Sequence, residues 1–211
     1  AYINQHVCAA LGMDFFVGVP DAELDRVAHV SRLRNQYGDE YARALFAAMG
    51  QPDSLAAKAF GNPSSMMTST NTREWKQAEI FSANGTGNAR ALARFWQVLA
   101  HGGSLDGVHL LDSELVGLMA QEHSQGMDRT LLAPTRFGLG VMLEQDYEGG
   151  GFGMGPQAWG HPGAGGALGF CDPQAQVGFG YVTNTMGPYV LMDPRALALS
   201  REVYRCLRQI D

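Results

Sequence analysis

Between Trp159 and Phe170 the chain reads Trp-Gly-His-Pro-Gly-Ala-Gly-Gly-Ala-Leu-Gly-Phe, and an apolar run from Val177 to Val182 follows. An imidazole at His161, glycines directly after it and a strand-like run behind them suit a site where backbone N–H groups approach a reacting atom. Glycine permits that approach because no Cβ intervenes. Two N–H groups aimed at one point stabilise a developing oxyanion, by roughly 3 kcal/mol per donor. The chemistry suggested is acyl transfer. Taken alone, His161 reads more simply as a structural histidine bonded to backbone, and the glycines as an ordinary turn. No activated serine accompanies the motif. Gly-x-Ser-x-Gly is absent, and the two lysines, Lys58 and Lys76, have Leu55 and Arg73 three residues before them, so there is no Ser-x-x-Lys.

The elements that must position this segment follow from periodicity and punctuation. Residues 2–11 read as a short helix closed by Gly12, and Met13 to Val19 as extended chain. Pro20-Asp21-Ala22-Glu23 reads as a helix start capped by Asp21, with the helix continuing to about Arg32. A second helix restarts at Tyr37-Gly38-Asp39 and runs to Met49, and a third spans Leu55 to Phe60. Residues 61–86 are polar and glycine-rich, a long loop of the kind that is often functional. Thr86 is expected to cap the strongest amphipathic helix, Asn88 to His101, which Gly102-Gly103 ends. A short strand at Val108 to Leu111 and a helix from Asp112 to Ala120 follow, then loop over 123–135.

From Phe137 the pattern becomes strand-like. Phe137 to Leu143, Trp159 to Pro162, Ala167 to Cys171 and Val177 to Val182 are expected strands, with turns at Gly149-Gly150-Gly151 and Asp172-Pro173-Gln174-Ala175. Asp193-Pro194 opens a final helix to about Arg208. Helices over 1–135, then an antiparallel sheet and a closing helix over 136–211, make an α+β chain.

Composition narrows the function classes. With 211 residues and 45% apolar content the chain can bury a sizeable core. A net charge of −6 argues against a broad nucleic-acid footprint. No apolar run reaches 18 residues, so no membrane span is expected, and the first residues lack a signal-peptide pattern. Cys8, Cys171 and Cys206 form no Cys-x-x-Cys pattern and read as buried free thiols. An odd, unpaired set fits a reducing compartment and favours a cytoplasmic location. Cys171, near the glycine motif, would need a base and an electropositive setting to act as a nucleophile, and neither is visible. His101 and His109 match no zinc spacing, and neither a metal nor a cofactor is expected.

His161-Pro162-Gly163-Ala164-Gly165-Gly166 resembles the His-x-Gly-x-Gly-Gly segment of β-lactamase-related serine hydrolases, the esterase-like branch of the superfamily of class C β-lactamases and D-Ala-D-Ala peptidases. Further stretches match that branch in order. Leu11-Gly12-Met13-Asp14-Phe15-Phe16-Val17-Gly18-Val19-Pro20 resembles its "PLGLDFHIGLP" segment, and Ala83 to Arg94 its "ANGHGTARALAR" segment. Arg136-Phe137-Gly138-Leu139-Gly140 and Asp193-Pro194-Arg195 complete the series.

The resemblance implies a β-lactamase/transpeptidase-like fold, an antiparallel sheet flanked by helices, present here as the C-terminal part of a single domain. It implies that Ser-x-x-Lys lies in a missing N-terminal segment upstream of the "PLGLDF" match. Tyr2-Ile3-Asn4 mimics the family's Tyr motif but sits in the wrong register. In the lactamase relatives the His161 position is the lysine of a Lys-Thr-Gly motif on the strand beside the nucleophile. By the same carry-over Ala164 N–H joins the nucleophile's own N–H as the oxyanion hole. Gly163, Gly165 and Gly166 would let substrate approach, and Asn84 would touch its edge. The expected substrate is a small ester or amide, cleaved through an acyl-enzyme. A catalytically inactive binding or assembly module on the same scaffold is the alternative. Asn84-Gly85-Thr86-Gly87 lacks the lysine of a phosphate-binding loop, and Arg90 and Arg94 read as a solvated helix face.

Overall fold

A computed structural model describes residues 2–32, 38–62, 68–145, 151–152 and 155–209. Tyr37, Gly149 and Gly150, to which the sequence assigned a helix start and a turn, lie outside the described residues. A π-helical turn, Asn4–Cys8, continues as α1 (Ala9–Leu11) and ends at Gly12, whose φ of 61° is the left-handed conformation glycine adopts freely. The expected strand over Met13 to Val19 reduces to β1 (Phe15–Phe16).

The helix expected from Pro20 to Arg32 is only a 3₁₀ turn, Asp21–Arg26. Tertiary partners outcompete local propensity here. Asn71 takes both backbone polar groups of Val30, accepting from its N–H at 2.7 Å and donating to its carbonyl at 2.8 Å. The next two residues form β2 (Ser31–Arg32). Asp21 does not cap; its carboxylate accepts from Arg73 at 2.6 Å and from Gln77.

α2 (Glu40–Met49) and α3 (Leu55–Phe60) begin where the sequence places them, because Asp39 and Ser54 accept the N–H of Ala42 and Ala57. The long loop contains α4 (Arg73–Gln77) and β3 (Thr86–Gly87), which pairs antiparallel with β1. Thr86 therefore belongs to a strand. Asn88 caps α5 (Ala89–Ala100), accepting from Ala91 N–H at 2.9 Å.

β4 (Ser104–Leu105) and β5 (Val108–His109) form a small hairpin before α6 (Ser113–Met119). Asp112 stands at the N-cap of α6, but its carboxylate meets His109 Nε2 at 3.0 Å. Arg94 is partly exposed yet engaged: it donates to Leu11 O at 2.8 Å and to Asp106 at 2.9 Å, tying α1 to the β4–β5 turn. The expected loop over 123–135 holds β6 (Ser124–Met127) and β7 (Pro134–Phe137). β6 is exposed along its whole length, so no alternation betrayed it.

β8 (Met142–Leu143), β9 (Trp159–Pro162), β10 (Leu168–Asp172) and β11 (Val177–Tyr181) complete an antiparallel sheet in the order β11-β10-β9-β8-β7-β6. β12 (Thr185–Met186) pairs parallel with β2, and α7 (Pro194–Leu207) closes the described chain. No helix among the described residues is long and apolar enough to cross a membrane.

Strand alternation assigns the two faces of the sheet. Gly169, Gly178 and Gly180 face α5. A Cβ on Gly178 would stand 2.2 Å from Gln97 N, so only glycine lets the helix backbone lie this close. Trp96, Leu99, Trp159 and Cys171 fill this layer, with Trp96 and Trp159 edge-to-face at 6.0 Å. The opposite face carries Leu168, Phe170 and Phe152 against Leu197 and Tyr204 of α7. Tyr204 donates to Asp172 Oδ2 at 2.7 Å, while Asp172 Oδ1 accepts from Gln174 and Ala175 in the β10–β11 turn. At the outer strand, Gln97 accepts from Gly178 N–H at 2.6 Å and donates to Gln176 O at 3.0 Å.

Candidate active site

β9 is fixed at its start by Trp159, buried in the α5 layer, and emerges at His161, which is exposed. His161 pairs with Gly169, and Gly169 faces Trp96, so the imidazole shares the α5 side of the sheet. Its Nδ1 lies 2.6 Å from Pro162 O. A carbonyl oxygen can only accept, so Nδ1 is the donor in this contact. Nε2 has no protein partner among the described residues. The ring is 6.4 Å from that of Phe137.

The strand then turns back through residues 163–166. Gly163 N–H donates to Ala167 O at 2.6 Å and Gly166 N–H to Gly163 O at 3.0 Å, closing a tight hairpin into β10. Gly165 and Gly166 have φ of 87° and 114°, values that penalise any side chain. Ala164, at the tip, is exposed, and its N–H has no acceptor among the described residues. The amide is outside the β9–β10 ladder.

A buried carboxylate backs this hairpin. Asp193 Oδ1 caps α7 through Arg195 N–H at 2.9 Å, and Arg195 returns a two-pronged bond, Nε to Oδ1 at 2.9 Å and Nη2 to Oδ2 at 2.6 Å. The same guanidinium donates to Thr185 O at 2.9 Å and Gly165 O at 3.2 Å. The bond to Asp193 pushes the arginine's pKa further up, against the opposing effect of burial. Gly166 and Gly187 border the carboxylate: a Cβ on either would fall 2.6 Å or 2.2 Å from Asp193 Oδ2. Gly187 N–H donates to Gly165 O at 2.7 Å. Asp193-Pro194-Arg195 read as a helix start; its grip on the glycine hairpin was missed, because it depends on where residues 185–187 return.

Asn84 departs from the expected substrate contact. It is buried, its Oδ1 accepts from Ile80 N–H at 3.0 Å, and its Nδ2 donates to Trp75 O at 2.7 Å and Ala78 O at 2.6 Å. With oxygen and both amide hydrogens engaged, it braces its own loop and offers a substrate nothing. Cys171 is fully buried, and burial together with neighbouring Asp172 pushes its thiol far up, away from thiolate chemistry. Cys8 is buried as expected, whereas Cys206 is exposed on α7. Among the described residues no group of three or more His, Cys, Asp or Glu side chains is arranged to hold a metal.

Comparison with known proteins gives this geometry a context. Residues 1–202 match the beta-lactamase family model. Over 134 residues the chain is 38% identical to the esterase/beta-lactamase LipL of Mycobacterium tuberculosis, covering 63% of this chain and 29% of that protein. Three solved structures share the fold. A penicillin-binding protein homologue from Caulobacter crescentus is 31% identical with a TM-score of 0.75, over 97% of this chain and 51% of that one. A family VIII carboxylesterase is 32% identical with a TM-score of 0.74, over 96% and 50%. EstA from Arthrobacter nitroguajacolicus is 27% identical with a TM-score of 0.78, over 98% and 53%. The chain thus spans about half the length of these solved relatives and less of LipL.

Proposed function

The chain belongs to the beta-lactamase family, and from that premise we propose that it is the C-terminal part of a serine hydrolase cleaving a small ester or amide. The serine oxygen, from a Ser-x-x-Lys segment upstream of Ala1, adds to the substrate carbonyl and its proton passes to the base. The carbonyl oxygen becomes an oxyanion, the alcohol or amine leaves with a proton, and water then cleaves the acyl-enzyme. In this reading Ala164 N–H is one of two oxyanion donors, the serine's own N–H being the other. His161 Nε2 lines the same wall as a hydrogen-bonding group, and Gly163, Gly165 and Gly166 build the turn that presents the amide, since a Cβ at 165 or 166 would run into Met186 or Asp193.

The observation that carries the reading is the exposed Ala164 N–H, without an acceptor among the described residues, at the tip of a hydrogen-bonded hairpin, three residues after an imidazole whose Nε2 has no partner among them. Support also comes from β11, the outermost strand of its sheet. The groove between it and α7 is lined by Phe179, Tyr181, Leu199, Val203 and Leu207, and Leu199 is 51% exposed. Apolar surface beside a sheet edge suits cover by further chain.

Joined to its upstream segment, the chain is expected to hydrolyse p-nitrophenyl acetate and to take a fluorophosphonate label on one upstream serine. The 211-residue chain alone is expected to do neither. A label on a serine within residues 1–211 sinks the assignment. An upstream sequence without Ser-x-x-Lys turns it to a catalytically inactive binding or assembly module.

A further inference from the structure

The acyl-transfer reading gives Asp193 and Arg195 no task, yet their contacts reach its centre. Peptide units are rigid planes, so fixing one end of a plane aims the other. Gly165 O and Gly166 N–H belong to one plane; Gly163 O and Ala164 N–H belong to another. Arg195 Nη2 and Gly187 N–H hold Gly165 O at 3.2 Å and 2.7 Å. Gly166 N–H, at the far end of that plane, holds Gly163 O at 3.0 Å. Ala164 N–H lies trans to Gly163 O, and so points away from the hydrogen bond that anchors its plane.

We infer that Asp193 and Arg195 are a positioning pair that aims the Ala164 amide through these two linked peptide planes, without touching substrate. The inference rests on the proposed oxyanion role of Ala164. Asp193 has no exposed side-chain surface, and glycines at 166 and 187 clear the space it occupies. A cap for α7 needs only the bond from Arg195 N–H to Oδ1. The guanidinium contacts to Thr185 O and Gly165 O lie outside the helix and serve the hairpin.

The test compares Arg195→Ala, Arg195→Lys and Asp193→Asn in the protein that carries both this chain and its upstream segment. Arg195→Ala is expected to lower kcat for p-nitrophenyl acetate by about tenfold to hundredfold, as misplaced catalytic groups do, with KM within about threefold. Affinity for a trifluoromethyl ketone, whose hydrated or serine-bound form carries an oxyanion, falls in step with kcat. Exchange of the Gly166 and Gly187 amide protons speeds up by at least about tenfold, since a hydrogen bond that held them is loosened. Arg195→Lys keeps a cation beside the buried carboxylate and so stays folded where Arg195→Ala does not; it recovers part of kcat. Unchanged kcat in a folded Arg195→Ala protein overturns the inference, as does lost kcat with unaltered amide exchange. If the parent protein hydrolyses no ester, the hydrolase reading fails by itself. Amide exchange then still decides whether the pair holds the hairpin, and unaltered exchange sinks it.

Discussion

Two glycine-bearing loops of this chain look alike in sequence and end in opposite states. The loop at 84–87 sits ahead of the strongest helix, and the loop at 163–166 sits between two strands. In the first, Asn84 turns inward and its amide closes onto Ile80, Trp75 and Ala78. In the second, the inner polar groups are anchored by Ala167, Gly187 and Arg195, while Ala164 N–H faces outward without a partner. Glycine content does not separate a site from a brace. What separates them is whether a polar group is left over once the loop has satisfied itself, because an unmet donor on a rigid support is available to a ligand.

This contrast can be broken experimentally. The largest effect is expected from His161→Ala in the protein joined to its upstream segment: a fall in kcat of about 10²–10⁴-fold, the range for a positioned proton-transfer or hydrogen-bonding group. Unaltered steady-state kinetics would return His161 to a structural role. Ala164→Pro deletes the outward N–H and is expected to reduce kcat by about 10²–10³-fold while thermal unfolding stays close to wild type. Full activity in that variant would remove the 163–166 loop from the chemistry. Asn84→Ala should behave the other way, costing about 1–3 kcal/mol of stability in urea unfolding because buried partners lose their bonds, with kcat of the folded protein preserved. A selective loss of kcat there would reverse the two loops.

The smallest expected effect lies away from both loops. Tyr204→Phe leaves Asp172 Oδ2 short of its donor and should cost about 1–2 kcal/mol. It also alters the alkaline limb of stability. Burial, then the bond to Asp172, pushes the Tyr204 phenol above its ordinary 10.0. The unfolded chain loses that proton first as pH rises, so the stabilisation is intact below 10.0 and declines above it. Urea midpoints followed through that range should fall less steeply for the phenylalanine variant. Parallel slopes would detach Tyr204 from the alkaline loss.

Much of the scaffold was legible because its signals are local. Trp159–Pro162, Leu168–Asp172 and Val177–Tyr181 are dense apolar runs broken by turn residues, and α5 and α7 carry caps and a stripe. The errors share a physical cause. Ser31–Arg32 becomes a strand only because Thr185–Met186 arrives beside it from more than 150 residues away. Ser124–Met127 is exposed throughout and needs only β7 for its pairing. At the candidate site, the placement of His161 on a strand and of Ala164 in the turn after it could be read from the motif, since a glycine-rich hairpin is a short-range object. The inward turn of Asn84 and the reach of Arg195 to Gly165 could not, because both depend on chain brought back by the fold.

Gln97 has a consequence for how any additional strand meets this sheet. Its side-chain amide already engages Gly178 N–H and Gln176 O, the two groups that open the outermost strand. A newcomer annealing there must displace the glutamine or dock further along, toward Gly180 and Tyr181. One side chain thus acts as a ratchet on alignment: it disfavours slipped pairings at the start of the strand, and leaves vacant the stretch bordering the apolar groove against α7.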